Sequence, residues 1–316
     1  MRTTDATTGR SSKCCCDVHV VIKPAESLIR SRPAPVLPAL ALLANASIWG
    51  LAWLPFKALE SHGLHPLWTT TAVFTGALLV LALARPSSLR DFAHHPQLLF
   101  LAVAAGLTNV GFTWAITIGD VVRVTLLFYL MPVWSIGLAW LLLRERPTRA
   151  AFVRLVLALA GVLLVLRRPE SALPLPQGLA DYLGLFGGFC FALNNVLVRR
   201  LRHTPETGRA AAMFVGGFCM AGAFALVVAP ASVWPLQVAW APWVAGLSIA
   251  FLASNLALQY GAARLPANAT ALIMLSEILI ATMSSSLLGA AHPTPSVWVG
   301  GTLIVLAALL AVRRDG

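Results

Sequence analysis

Hydrophobic positions in this chain come in long unbroken blocks, with none of the wet and dry faces that mark a helix of a soluble protein. Ten such blocks follow one another, at 38–58, 67–84, 97–118, 121–143, 150–167, 179–198, 210–229, 243–262, 267–288 and 296–313. Each is near the ~20 residues that a helix needs to cross a ~30 Å hydrocarbon layer. The connections are short and rich in Pro, Gly and charge, as in Arg85-Pro86-Ser87, Arg144-Glu145-Arg146-Pro147 and His292-Pro293-Thr294-Pro295. Short connections make neighbouring helices antiparallel. The pattern therefore predicts an all-α integral membrane protein of ten transmembrane helices, solvated by lipid. Residues 1–36 have no apolar period and read as a disordered, basic cytoplasmic tail. Ala44-Asn45-Ala46 resembles a signal-peptide cleavage site, but a cut there would leave half a span, so the first block is read as a true helix.

One polar position stands out against this background. The ninth block, Ala267 to Leu288, carries Glu277 at its centre with no Lys or Arg in the run. A charge at the bilayer midplane costs on the order of 2.5–3.5 kcal/mol on insertion scales, so such residues face protein or water and serve as ion or solute ligands. At a spacing of seven, Thr270 and Ser284 fall on the same face of a continuous helix as Glu277. Glu277 is expected to bind a proton or the cationic part of a solute. The plainer alternative is a protonated carboxyl bonded to a neighbouring helix.

Composition and charge sharpen the membrane reading. The chain is 58% hydrophobic and 11% charged, against roughly a quarter charged in soluble domains. A net charge of +11 in a soluble protein would suggest nucleic acid, but here the basic residues sit in the loops between blocks, so no nucleic-acid partner is expected. With the N-terminus inside, nineteen Lys and Arg fall on the inner side and four, Lys57, Arg123, Arg167 and Arg168, on the outer. Both termini are thus expected in the cytoplasm. Trp68, Trp234, Trp240, Trp243 and Trp298 all fall near the outer ends of their blocks, where indoles sit well between lipid and water. The three adjacent residues Cys14 to Cys16 have no partner at ligand spacing and read as part of an inert tail. No Gly-rich phosphate loop followed by Lys-Ser/Thr and no metal-ligand spacing is present, so neither a cofactor nor a metal is expected.

The chain also repeats itself. A shift of 146 residues sets Pro147-Thr148 on Pro293-Thr294, Asn109 on Asn255, Leu141-Leu142 on Leu287-Leu288 and Arg167-Arg168 on Arg313-Arg314. The expected units are residues 37–168 and 178–314, five helices each, and an odd number places the second copy upside down. Inverted repeats characterise secondary transporters, whose solute site lies at the midplane between the copies.

Ser47-Ile48-Trp49-Gly50 through Lys57, the run LLFYLMPVWSIGLAWLLLRERPTR from Leu126 to Arg149, Asn194 to Arg200 and Met274 to Ile280 together resemble the EamA-type branch of the drug/metabolite transporter superfamily. The resemblance covers residues 38–314. It implies a ten-helix exporter or exchanger of small metabolites such as amino acids in the cell inner membrane, with helices 1, 3, 4, 6, 8 and 9 around a central cavity. The family often reads Glu-Pro in helix 9, whereas Glu277 is followed by Ile278; a kink is expected at Pro132 of helix 4 but not in helix 9.

The remaining candidates are read from residue type. Pro132 removes a backbone donor in mid-helix and frees a carbonyl to face a cavity, as a hinge or a static kink; Pro55 follows in the first block. Tyr129 and Thr125 lie about one and two turns before Pro132 and offer hydroxyls to a solute or to neighbouring helices. Trp49 and Trp53 share a face of helix 1 and, with Trp114, would wall a cavity for apolar solutes or face lipid. Asn109, Asn194, Asn195 and Asn255 must each staple helices or line the cavity. Asp120 and Arg123 are spaced to pair. The expected partners are a small solute, membrane lipid and a coupling proton, with the oligomeric state open, a homodimer included. Two rivals stand beside this reading: a solute-for-solute exchanger of the nucleotide-sugar type and an integral membrane enzyme acting on lipid.

Overall fold

A computed structural model describes residues 36–119, 121–165, 176, 178–229, 240–288 and 295–314. The tail with Cys14 to Cys16, the Asp120–Arg123 pairing, Trp234 and Arg167-Arg168 lie outside the described residues or side chains. Every regular element described is helical. The first block forms α1 (Val36–Leu51) and α2 (Trp53–Ser61), interrupted at Ala52. Then come α3 (Pro66–Ala84), α4 (Ser87–His94) and α5 (Leu98–Ile118). The fourth block is divided into α6 (Val121–Phe128), α7 (Met131–Leu138) and a π turn, Ala139–Leu143. After α8 (Arg149–Val165) come α9 (Leu179–Arg200), α10 (Glu206–Val228) and α11 (Ala241–Arg264). The ninth block is again divided, into α12 (Ala267–Met274) and α13 (Ser276–Leu287), and α14 spans Pro295–Arg314.

Among the described residues, eight helical stretches are long and apolar enough to cross a membrane. The other two expected spans are shorter: α8 has 17 residues, about 26 Å at 1.5 Å per residue, and the apolar part of α14 is Pro295–Leu310. These two helices pack on each other where Gly161 meets Gly300. A Cβ on Gly161 would stand 2.6 Å from the Gly300 carbonyl oxygen, so only glycine permits this approach. Large apolar side chains point outward around the molecule, Leu83 81% exposed and Val227 78%, while amides and hydroxyls turn inward. This inversion of the soluble pattern marks a multi-pass membrane protein.

Helices from the first and second halves interleave. α5 packs on α9 and α10, α3 on α10 and α11, and α1 on α11 and α13. Buried amides staple them: Asn45 on α1 donates to the Ser254 carbonyl at 2.9 Å and to its hydroxyl at 2.6 Å. Of the tryptophans expected near the outer interface, Trp243 and Trp298 are exposed, while Trp68 and Trp240 are buried. Trp68 points inward because its indole N–H donates to the Ala229 carbonyl. The connection between α3 and α5 contains a helix that periodicity does not reveal, α4, whose Asp91 accepts from Thr207 on α10 at 2.8 Å.

Helix 9 bends without a proline. At Leu275 the backbone changes from i−4 to i−3 bonding, with Leu275 N–H on the Leu272 carbonyl and Ile278 N–H on the Leu275 carbonyl. The Ser276 hydroxyl donates to the Ile273 carbonyl at 2.7 Å, a local bond that competes with the helical ladder. In helix 4 the break does carry Pro132, at the start of α7. The carbonyl four residues before it, Phe128 O, does not open onto a cavity as expected. It lies against Gly188 of α9, where any Cβ would collide with it.

Candidate functional site

The two broken helices and the α1–α2 interruption meet around a cavity of about 400 Å³. Its wall draws residues from α1, α2, α3, α5, α6, α9, α10, α11, α12 and α13, and none from α8 or α14. Helices 2 and 7 therefore join the six that the family resemblance implied, through Thr70 and Phe74 on α3 and Met213 and Phe214 on α10.

Glu277 sits in the first turn of α13, just past the break, and faces this cavity. Tyr129 stands at the matching break between α6 and α7, and its phenol donates a hydrogen bond to the Glu277 carboxyl. Gly50 brings α1 onto the same spot: a Cβ there would lie 2.9 Å from the Glu277 carbonyl oxygen. The carboxyl is thus fixed by three separate breaks or close approaches in the helices.

Of the residues singled out in the sequence, Trp49, Trp53, Asn109, Asn194, Asn255, Thr125, Tyr129 and Glu277 line the cavity. Thr270, Ser284 and Trp114 do not. The seven-residue spacing would align Thr270 with Glu277 in an unbroken helix, and the break at Leu275 separates them; Ser284 shares α13 with Glu277 but is not part of the wall. Thr270 is fully buried in α12, its hydroxyl without a partner among the described residues. Ser284 stands behind the wall and accepts from the indole N–H of Trp53 at 3.0 Å, which holds that ring in place. Trp114 packs on Phe224, ring centroids 5.5 Å apart. Pro132 and Pro55 lie in α7 and α2 beside the wall rather than in it.

The sequence did not single out Asn45, Thr70, Thr108, Thr282 or the seven phenylalanines of the wall. Asn45 carried a usable signal, an amide inside an apolar block. The phenylalanines carried none, because a ring facing lipid and a ring facing a cavity are the same letter.

A chain of buried polar groups runs from the wall to one end of the molecule. The side-chain oxygen of Asn255 (Oδ1) accepts from Gln259 Nε2 at 2.7 Å, and the side-chain oxygen of Gln259 (Oε1) accepts from Arg209 Nε at 3.0 Å. Arg209, 1% exposed, also donates to the Leu201 and Thr204 carbonyls. At the same end Arg199 of α9 meets Glu145 at 2.6 Å and donates to the Leu265 carbonyl. Three segments, the end of the π turn, the end of α9 and the α11–α12 junction, are tied there, and none of these residues lines the cavity. At the opposite end the wall extends to Phe56 and Pro66.

Residues 36–167 match the EamA-like transporter family. The matched residues run from α1 to α8 and supply the Trp49, Asn109 and Tyr129 side of the cavity. Two curated proteins are similar to parts of the chain. An uncharacterized transporter of Pseudomonas aeruginosa, PA0485, is 31% identical over 122 residues, 36% of this chain and 41% of that protein. Protein RarD of Streptomyces exfoliatus is 28% identical over 164 residues, 49% of each. The matched stretch thus spans less than half the length of either relative. A solved crystal structure superposes with a TM-score of 0.71, covering 90% of this chain and all of the other at 19% identity, and so shares the fold.

Proposed function

We propose that this protein is a secondary transporter of the EamA type that moves small metabolites across the cell inner membrane by alternating access. In this reading α8 and α14 complete ten spans, arranged as two inverted five-helix repeats, residues 37–168 and 178–314, with both termini cytoplasmic. The observation that carries it is the cavity with a carboxyl at the junction of broken helices, a construction suited to a solute site at bilayer depth. Asn109 and Asn255, which the 146-residue shift superposes, both belong to its wall. With the termini inside, the wall reaches toward the outer face, and the Arg199–Glu145–Leu265 tie closes the cytoplasmic end. Because helices of the two halves interleave, each moving body takes helices from both.

Export of amino acids or similar solutes is the direction and class the family resemblance favours, with a proton exchanged at Glu277 as the coupling step. An exchanger of phosphate-bearing sugars fits less well, since no Lys, Arg or His lines the cavity to meet phosphate. The test is solute counterflow into vesicles holding the full chain, screened across amino acids, amines, nucleosides and sugars under an imposed pH gradient. At least one solute should exchange, and Glu277→Gln should abolish both uptake and its response to the gradient. Unchanged transport with unchanged pH response in Glu277→Gln would remove Glu277 from the mechanism; no counterflow for any class would remove the carrier reading.

A further inference from the structure

The polar groups of the cavity are unevenly supplied. Glu277 is the one charged residue among those that line it. Most hydrogen-bond donors in the wall are already engaged by protein. Thr70, Thr108 and Thr282 donate to carbonyls of their own helices, and Asn45, Asn109 and Asn255 donate to Ser254, Ala105 and Met213. The Tyr129 hydroxyl is turned to Glu277 and the Trp53 N–H to Ser284. Acceptors, by contrast, are left over: the side-chain oxygens of Asn45 and Asn194 are buried with no partner among the described residues. A solute that brings positive charge is met by the Glu277 carboxyl. One that brings a carboxylate or phosphate finds a like charge and few donors.

Aromatic rings supply a third of the lining residues. Trp49 stacks on Phe251 with centroids 4.4 Å apart, Phe56 lies 6.1 Å from the same ring, and Phe112, Phe128 and Phe191 close another side. Ring faces attract cations as well as apolar bodies. Resting on the carrier reading above, we propose that the solute is a protonated arylalkylamine, an aromatic ring on a short chain ending in an ammonium group, with no carboxylate. The ammonium sits against Glu277, and the ring lies among the phenylalanines. A zwitterionic amino acid of the same size would set its carboxylate beside Glu277 with no cation in the wall to balance it.

The experiment uses the purified full-length chain in detergent, with quenching of tryptophan fluorescence as the readout and three probes of one skeleton: phenethylamine, phenylalanine and 2-phenylethanol. Phenethylamine should bind saturably, and the other two at least roughly tenfold more weakly, as expected for loss of a hydrogen-bonded charge or addition of a repelled one. Glu277→Gln should bring the amine and the alcohol to parity. Equal or tighter binding of phenylalanine or of 2-phenylethanol to the unaltered chain would overturn the proposal, as would saturable binding of none of the three, and neither result depends on the variant folding. If the order holds but phenethylamine shows no counterflow in vesicles, the solute class stands and the carrier reading fails.

Discussion

Glu277 and Tyr129 occupy corresponding breaks in two different helices, and each is placed by backbone that has left the regular helical ladder. Tyr129→Phe keeps the ring in its aromatic surroundings and removes one donor to the carboxyl. A hydrogen bond to a charged group contributes about 1.5–3 kcal/mol. Counterflow through the variant should therefore fall by roughly tenfold or more, with a melting temperature close to that of the parent, and an unchanged rate would show that the phenol does not serve the carboxyl. Glu277 was legible in the sequence because a carboxylate in a lipid-length apolar run has few other uses. Thr270 lies outside the wall for a definite reason: a spacing of seven aligns side chains only while the helix continues, and Ser276 diverts a carbonyl just where it stops, whereas Ser284, on the same helix as Glu277, is taken up by the Trp53 indole.

Among the elements, the turn from α2 into α3 carries a pH response of its own. His65 caps α3 by accepting the Leu67 N–H through Nδ1 at 3.2 Å, which requires the neutral ring. Burial lowers its pKa from the ordinary 6.5, against the opposing pull of Glu60. The folded chain then binds fewer protons here than the unfolded one. Its contribution is complete above 6.5 and is lost as pH falls through the lowered value. His65→Asn keeps an N-cap acceptor without a titrating ring, so its melting temperature relative to the parent should rise as pH drops from about 7 to about 5. A constant difference would show that the cap does not titrate. The helices themselves were readable from block length alone. The short α4 and the bend at Leu275 were not, since one lies in a polar connection and the other comes from hydrogen-bond competition rather than from a proline.

At the scale of the molecule, the cavity reaches one end while an ion pair fastens the other. Arg199 and Glu145 are 19% and 30% exposed, so their attraction is only partly screened, and Arg199 also holds the Leu265 carbonyl. Glu145→Gln should loosen this end. A cysteine introduced at Met274, which lines the cavity, should then react about tenfold faster with a water-soluble thiol reagent added from the Glu145 side, the change expected for loss of some 1.5 kcal/mol. Equal labelling rates would mean that the pair does not hold the end shut. Neither partner could be matched from sequence, because 54 residues separate them and the Lys and Arg of these loops also serve to orient the chain.

The two bends beside the cavity differ in how they can be undone. Straightening α12 and α13 into one rod asks only that a few amides and the Ser276 hydroxyl exchange carbonyl partners. No such exchange can mend helix 4, where Pro132 has no N–H to return to the ladder. Any swing of this scaffold is therefore lopsided: the segment bearing the acid can flex and recover, while the one bearing the phenol stays permanently bent and acts as its anvil.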